Sequence, residues 1–131
     1  MRRVYSLTVL HRSFARTQVR LPEGGAGDPV TVRMDPGGSV RIEVVDGSGR
    51  PVAGIPLEVL DARGVAHAEE VSMVDHDADL PFRSGPNGLL ALERLAPGTY
   101  RVIPLGREAA TGGAQFTVEA GRTAAVRMVV P

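Results

Sequence analysis

The sequence predicts an all-β sandwich of about seven strands preceded by an extra N-terminal β segment. Three observations lead there. Short runs alternate apolar and polar residues with the period of a half-buried strand. Sixteen Gly and ten Pro are scattered so that they punctuate those runs. No window sustains a helical period with caps at both ends. At 131 residues the chain is one domain by size and long enough for a real core. With three Phe, two Tyr and no Trp, that core has to come from Val, Leu and Ile, which suit sheets.

Val4 to Leu10 alternates through Tyr5, Leu7 and Val9 and reads as a strand. Gln18 to Leu21 is a second, short strand ended by Pro22, and Glu23 to Pro29 is a loop by composition. Val30, Val32 and Met34 make a third alternation, stopped at Asp35-Pro36-Gly37-Gly38. The clearest strand follows, with Val40, Ile42 and Val44 alternating with Arg41 and Glu43. Asp46-Gly47-Ser48-Gly49 is a turn, and Pro51-Val52-Ala53-Gly54 leads into a strand carrying Ile55, Leu57 and Val59. Asp61-Ala62-Arg63-Gly64 turns the chain again. Residues 69–80 are acidic and fit a strand or a loop, and Ala66 to Val71 is the one place where a helical turn fits. Phe82 is expected to point inward. Asn87-Gly88 opens a run with Leu90 and Leu92, and Pro97-Gly98 is expected to fold it back as a hairpin onto Tyr100 and Val102. Residues 106–113 are a small-residue loop. Phe116 and Val118 give another strand, Ala120-Gly121 a turn, and Val126, Met128 and Val130 the last strand.

The two ends of the sequence resemble each other. Tyr5, Leu7, Leu10, Arg12 and Ala15 match Tyr100, Val102, Leu105, Arg107 and Ala110, and Val32-Arg33-Met34 matches Val126-Arg127-Met128. The match divides the chain into an N-terminal β segment, residues 1–37, and a complete module, residues 38–131. The first is then the back half of a preceding repeat. Half a sandwich cannot bury its inner face alone. The segment is therefore cut from a longer array, extends a sheet of the complete module, or pairs with a neighbouring chain.

Residues 39–131 resemble the carboxypeptidase regulatory-like domain, a prealbumin-like (transthyretin-like) Greek-key β-sandwich. The resemblance lies in S-V-R-I-E-V-V-D-G-S-G-R-P-V-A-G-I-P-L-E-V at 39–59 and N-G-L-L-A-L-E-R-L-A-P-G-T-Y-R-V at 87–102. Pro51, Val52 and Gly54 fit its first motif; Leu95, Pro97, Gly98, Tyr100 and Val102 fit its second. All are turn and core positions, so they carry over as structure only. The resemblance implies a non-catalytic structural or interaction module, a spacer or assembly domain, often repeated, in an extracellular or cell-surface protein. Its partners are then other domains of the same or a neighbouring polypeptide. Related surface-adhesin repeats carry a Lys–Asn or Lys–Asp crosslink. All fifteen basic residues here are Arg, so that device is excluded.

Composition removes other functions. Without Lys there is no Schiff base or phosphate-loop lysine; without Cys there is no disulfide, thiolate metal site or Cys nucleophile. The formal charge is zero, so no global field favours nucleic acid or an anionic membrane. The N-terminal M-R-R-V-Y-S-L-T-V-L-H-R is too short and too alternating for a signal peptide or a membrane span. No enzyme is expected. The alternative is a calcium- or carbohydrate-binding module using the acidic 69–79 loop. Asp75, Asp77 and Asp79 place three carboxylates at alternate positions, as a calcium loop does, but Leu80 and Pro86 stand where an EF-hand needs Gly and Glu. His67 and His76 beside these carboxylates fix no metal geometry by spacing alone. Ser48 and Ser84 sit in ordinary turns rather than on a nucleophile elbow. Strand Arg residues such as Arg127 are expected to pair with carboxylates such as Glu43 on a solvated face.

Overall fold

The computed structural model describes residues 4–11, 13–22, 31–105 and 113–130. Its elements are β1 (Val4–His11), β2 (Phe14–Pro22), β3 (Gly38–Val45), β4 (Pro56–Asp61), α1 (His67–Val74), β5 (Phe82–Arg83), β6 (Leu89–Leu95), β7 (Gly98–Pro104), β8 (Ala114–Val118) and β9 (Thr123–Val129). β3 to β9 form a prealbumin-like sandwich of two sheets, ordered β6-β3-β9 and β5-β4-β7-β8. β1 and β2 pair only with each other among the described residues, so they extend neither sheet.

The core is the sum of the inward faces that the alternation marks. Val40, Ile42 and Val44 from β3 and Met128 from β9 meet Leu57 and Val59 from β4, Tyr100 and Val102 from β7, and Phe116 and Val118 from β8. Partly buried Phe82 and Val126 close it at the margin, Phe82 pointing inward as its position predicts. Outward positions are charged, and Arg127 meets Glu43 at 3.4 Å on the exposed face. β3, the first strand of the sandwich, pairs with β9, the last, and the two run parallel from Ser39↔Thr123 to Val45↔Val129.

Asp46 and Asp61 build the two Asp-Gly turns in the same way. The Oδ1 of Asp46 accepts the backbone N–H groups of Ser48 and Arg50, and that of Asp61 those of Arg63 and Val65. At Gly88 (φ 73) an added Cβ would lie 2.5 Å from the Val44 carbonyl oxygen, so the turn after Asn87 demands glycine twice over.

Three expectations change. The Pro97-Gly98 connection does not make a hairpin, because β6 and β7 belong to opposite sheets. The cause lies just upstream. The β3–β6 register slips between Gly38↔Leu95 and Val40↔Leu92, a bulge at which Arg94 takes φ 61. Leu92 and Leu95, three residues apart, both turn inward as a result. Beyond them the Tyr100 hydroxyl donates to the Ala96 carbonyl at 2.6 Å, fixing the corner across which the chain passes to the other sheet. Alternation cannot separate such an arch from a hairpin, since both strands face one core.

The third alternation is not a strand either: residues 31–37 have no ladder, and Val30 lies outside the described residues. Val32 and Met34 are half-buried between exposed neighbours, but this segment meets β2 through one backbone bond, Ala15 N–H to the Asp35 carbonyl at 2.8 Å. The ambiguous acidic stretch holds the two-turn helix α1, longer than the single turn that fitted at Ala66–Val71.

Candidate functional site

The polar chemistry of the molecule gathers where the β1–β2 hairpin meets the sandwich. Arg16 of β2 reaches across to the end of β4 and to α1. Its Nη1 donates to Asp61 Oδ2 at 2.8 Å and to Glu70 Oε1 at 2.6 Å. Arg63 adds Nη2 and Nε bonds to the same Asp61 oxygen, at 2.9 and 3.2 Å. The Arg16 and Glu70 side chains are each 16% exposed and Asp61 only 7%, so the cluster is largely out of water. Burial of Asp61 opposes its charge, but the Val65 backbone N–H and the two guanidinium groups outweigh that and bring its pKa down to about 2. Burial likewise works against the charge on Arg16. The bonds to Glu70 and Asp61 win, and its pKa is raised.

Beside this ion cluster a cleft of about 320 Å³ opens between the hairpin, α1 and β6, with His11, Phe14, His67, Phe82 and Arg94 among its walls. His67 stacks on Phe82 (centroids 6.0 Å apart, planes at 22°), and His11 leans on Phe14 at 5.3 Å. Burial, followed by the charges of Arg16 and Arg94, pushes the His67 pKa down to about 4, so its imidazole is neutral at pH 7. No Ser, Thr or Cys is among the described residues that line the cleft. The buried Ser84 hydroxyl is already committed, accepting the Ile55 N–H at 2.9 Å and donating to the Val52 carbonyl at 2.8 Å. Tyr100, stacked on Phe116 at 5.5 Å, has its pKa pushed up to about 12, chiefly by burial, and stays a neutral hydroxyl. These groups hold elements together through the bonds and stacks just described.

The acidic loop follows directly on α1. Asp75 ends α1, its N–H donating to the Val71 carbonyl at 2.9 Å, and its Oδ1 accepts the Asp77 N–H at 3.1 Å. Asp77, Asp79 and His76 are exposed. No three His, Asp or Glu side chains among the described residues are placed to hold a metal ion. His11, remote from His67 in sequence, is the histidine that shares its cleft. The Arg16–Asp61–Glu70 cluster could not be read from the sequence: Asp61 signals only its turn, and the spacing of Arg12, Arg16 and Arg20 says nothing of a partner on another element.

No family model and no curated protein matches the chain. The resemblance to the carboxypeptidase regulatory-like domain therefore rests on residues 39–59 and 87–102 alone. Among solved structures the chain is similar to GBS52, the minor pilin of Streptococcus agalactiae (TM-score 0.54, 17% identity, 92% of this chain and 56% of that one). It is also similar to a streptococcal ancillary pilin (TM-score 0.55, 12% identity, 96% and 44%). A third is the shaft pilin SpaA of Lactobacillus rhamnosus GG (TM-score 0.50, 13% identity, 98% and 64%). At such identities the likeness is one of fold alone: the chain is a β-sandwich similar to those in these pilins. The chain spans roughly half the length of the pilins it matches.

Proposed function

We propose that the chain is a non-catalytic, load-bearing module, a spacer or assembly domain of an exported or cell-surface polypeptide. The complete module begins at residue 38, and the finer resemblance to a carboxypeptidase regulatory-like domain belongs to this reading. Its partners are other domains of the same or a neighbouring polypeptide. The fold shared with shaft and ancillary pilins supports it.

The observation that carries the proposal is the parallel β3–β9 ladder. The chain enters the module at Gly38 and leaves it after Val129, at opposite ends of that ladder. Tension along the polypeptide therefore shears the pairs from Ser39↔Thr123 to Val45↔Val129 together instead of opening them one at a time. A spacer under load needs that geometry.

Single-molecule force spectroscopy tests the proposal. Handles at residues 38 and 130 should give one cooperative rupture at several times the force found with handles at residues 39 and 123, which peel the ladder from one end. Equal forces in the two directions would defeat the load-bearing reading.

A further inference from the structure

The two hairpins of the chain share one register. In β1–β2, Val4, Tyr5, Ser6 and Leu7 pair with Pro22, Leu21, Arg20 and Val19. Shifting every number by the distance from Tyr5 to Tyr100 gives Thr99↔Thr117, Tyr100↔Phe116, Arg101↔Gln115 and Val102↔Ala114, the pairs found in β7–β8. The sequence match sets β1 on β7 and reaches only the start of β2, at Ala15. The pairing sets β2 on β8 independently, because register is fixed by the turn and by the buried face.

The hairpins differ in what covers them. Tyr100, Val102 and Phe116 of β7–β8 are buried against the opposite sheet. On the corresponding face of β1–β2, Leu7 is 42% exposed, where Val102 is fully buried, and Val9 and Val19 beside it are half-buried. The other face of the hairpin is the one turned to this chain's own sandwich, through Leu10 and Arg16. Residues 31–34 fit the same picture. They match β9, which depends on its parallel partner β3, and here they have the half-buried alternation of a strand but no ladder.

We infer that residues 4–11, 13–22 and 31–34 belong to the back half of a second sandwich, whose open face receives a polypeptide of the same chemistry as residues 38–95, led by a strand alternating β-branched residues as Gly38–Val45 does. This rests on the modular reading above and names the partner it implies. A second copy of this chain cannot be that partner through its own β3, which is hydrogen-bonded on both sides, to β6 and to β9.

The test joins residues 38–95 directly ahead of Met1, so that the added segment stands before β1 as β3–β6 stand before β7. Hydrogen exchange should then slow at Leu7 and Val19 to the rates of Val102 and Ala114. Since the chain has no Cys, a Leu7→Cys variant gives a second readout: its thiol should react freely with maleimide in the 131-residue chain and resist it in the extended one. Leu7→Asp should abolish the slowing of exchange in the extended chain and leave the exchange of residues 38–130 unchanged. Unaltered exchange at Leu7, with residues 38–130 still protected, would overturn this inference while leaving the modular reading intact. Concentration-dependent protection of Leu7 in the 131-residue chain, with a dimer's mass, would also overturn it, because the occupant would then be a second copy.

Discussion

Arg16 is the point at which a single change separates an ion cluster that fastens the hairpin from one that decorates it. Arg16→Met keeps an unbranched apolar stem and removes the guanidinium. Asp61 retains Arg63 and two backbone N–H donors, whereas Glu70 is left with Arg63 Nη2 at 4.0 Å, beyond hydrogen-bond reach. Breaking a fully buried pair costs about 3–5 kcal/mol; with Arg63 in place and both partners near the rim, about 1–2 kcal/mol is expected here. The pH dependence has a definite sign. Asp61 titrates at about 2 in the folded chain, below its ordinary 3.8. Its contribution is therefore complete above 3.8 and lost as pH falls toward 2, in all about 2 kcal/mol. Without Arg16 part of that shift disappears, so the difference between the two proteins should be largest at pH 7 and shrink below pH 3.8. Urea midpoints at pH 7 and pH 3 measure it, and hydrogen exchange should show the hairpin amides losing protection first. A cost below about 0.5 kcal/mol at pH 7, the range of an ordinary surface change, would refute the reasoning. So would a difference that does not narrow on acidification.

Four further outcomes are expected. His67 has a folded pKa of about 4 against 6.5 when unfolded, so protonation favours unfolding; stability should fall by about 3 kcal/mol between pH 6.5 and 4, and His67→Gln should flatten that slope in urea titrations. Ser84→Ala strands the Ile55 N–H and the Val52 carbonyl inside the sandwich and should cost about 1–3 kcal/mol by denaturant melt. Gly88→Ala forces a Cβ against the Val44 carbonyl at positive φ and should cost about 2 kcal/mol or more, measured in the same way. Calcium should leave the Tm unchanged, because Asp75, Asp77 and Asp79 do not converge on one point among the described residues; a rise that chelation reverses would instead favour the calcium-binding alternative.

Strand identity was legible wherever one face of the strand is buried. Val40, Ile42 and Val44, like Phe116 and Val118, alternate because the pleat alternates, and both Asp-Gly turns carry their own chemistry in the sequence. Which strands pair was not legible. Leu90 to Val102 reads as a hairpin, and only the Arg94 bulge and the bond from the Tyr100 hydroxyl to the Ala96 carbonyl send it across the core. Val32 and Met34 have the right period and no ladder, since periodicity reports a face and not a partner. The ion cluster was hidden for a related reason: Arg16, Asp61 and Glu70 stand on three elements whose approach is settled by packing.

The central claim is that the first and last strands of the sandwich are clamped side by side and run the same way. Scalar couplings across hydrogen bonds, measured by NMR in labelled protein, read that directly. The account predicts couplings of the evenly spaced parallel pattern between β3 and β9 around Ile42 and Val126. An antiparallel pattern there, or a β9 whose amides couple to any strand other than β3, would contradict it.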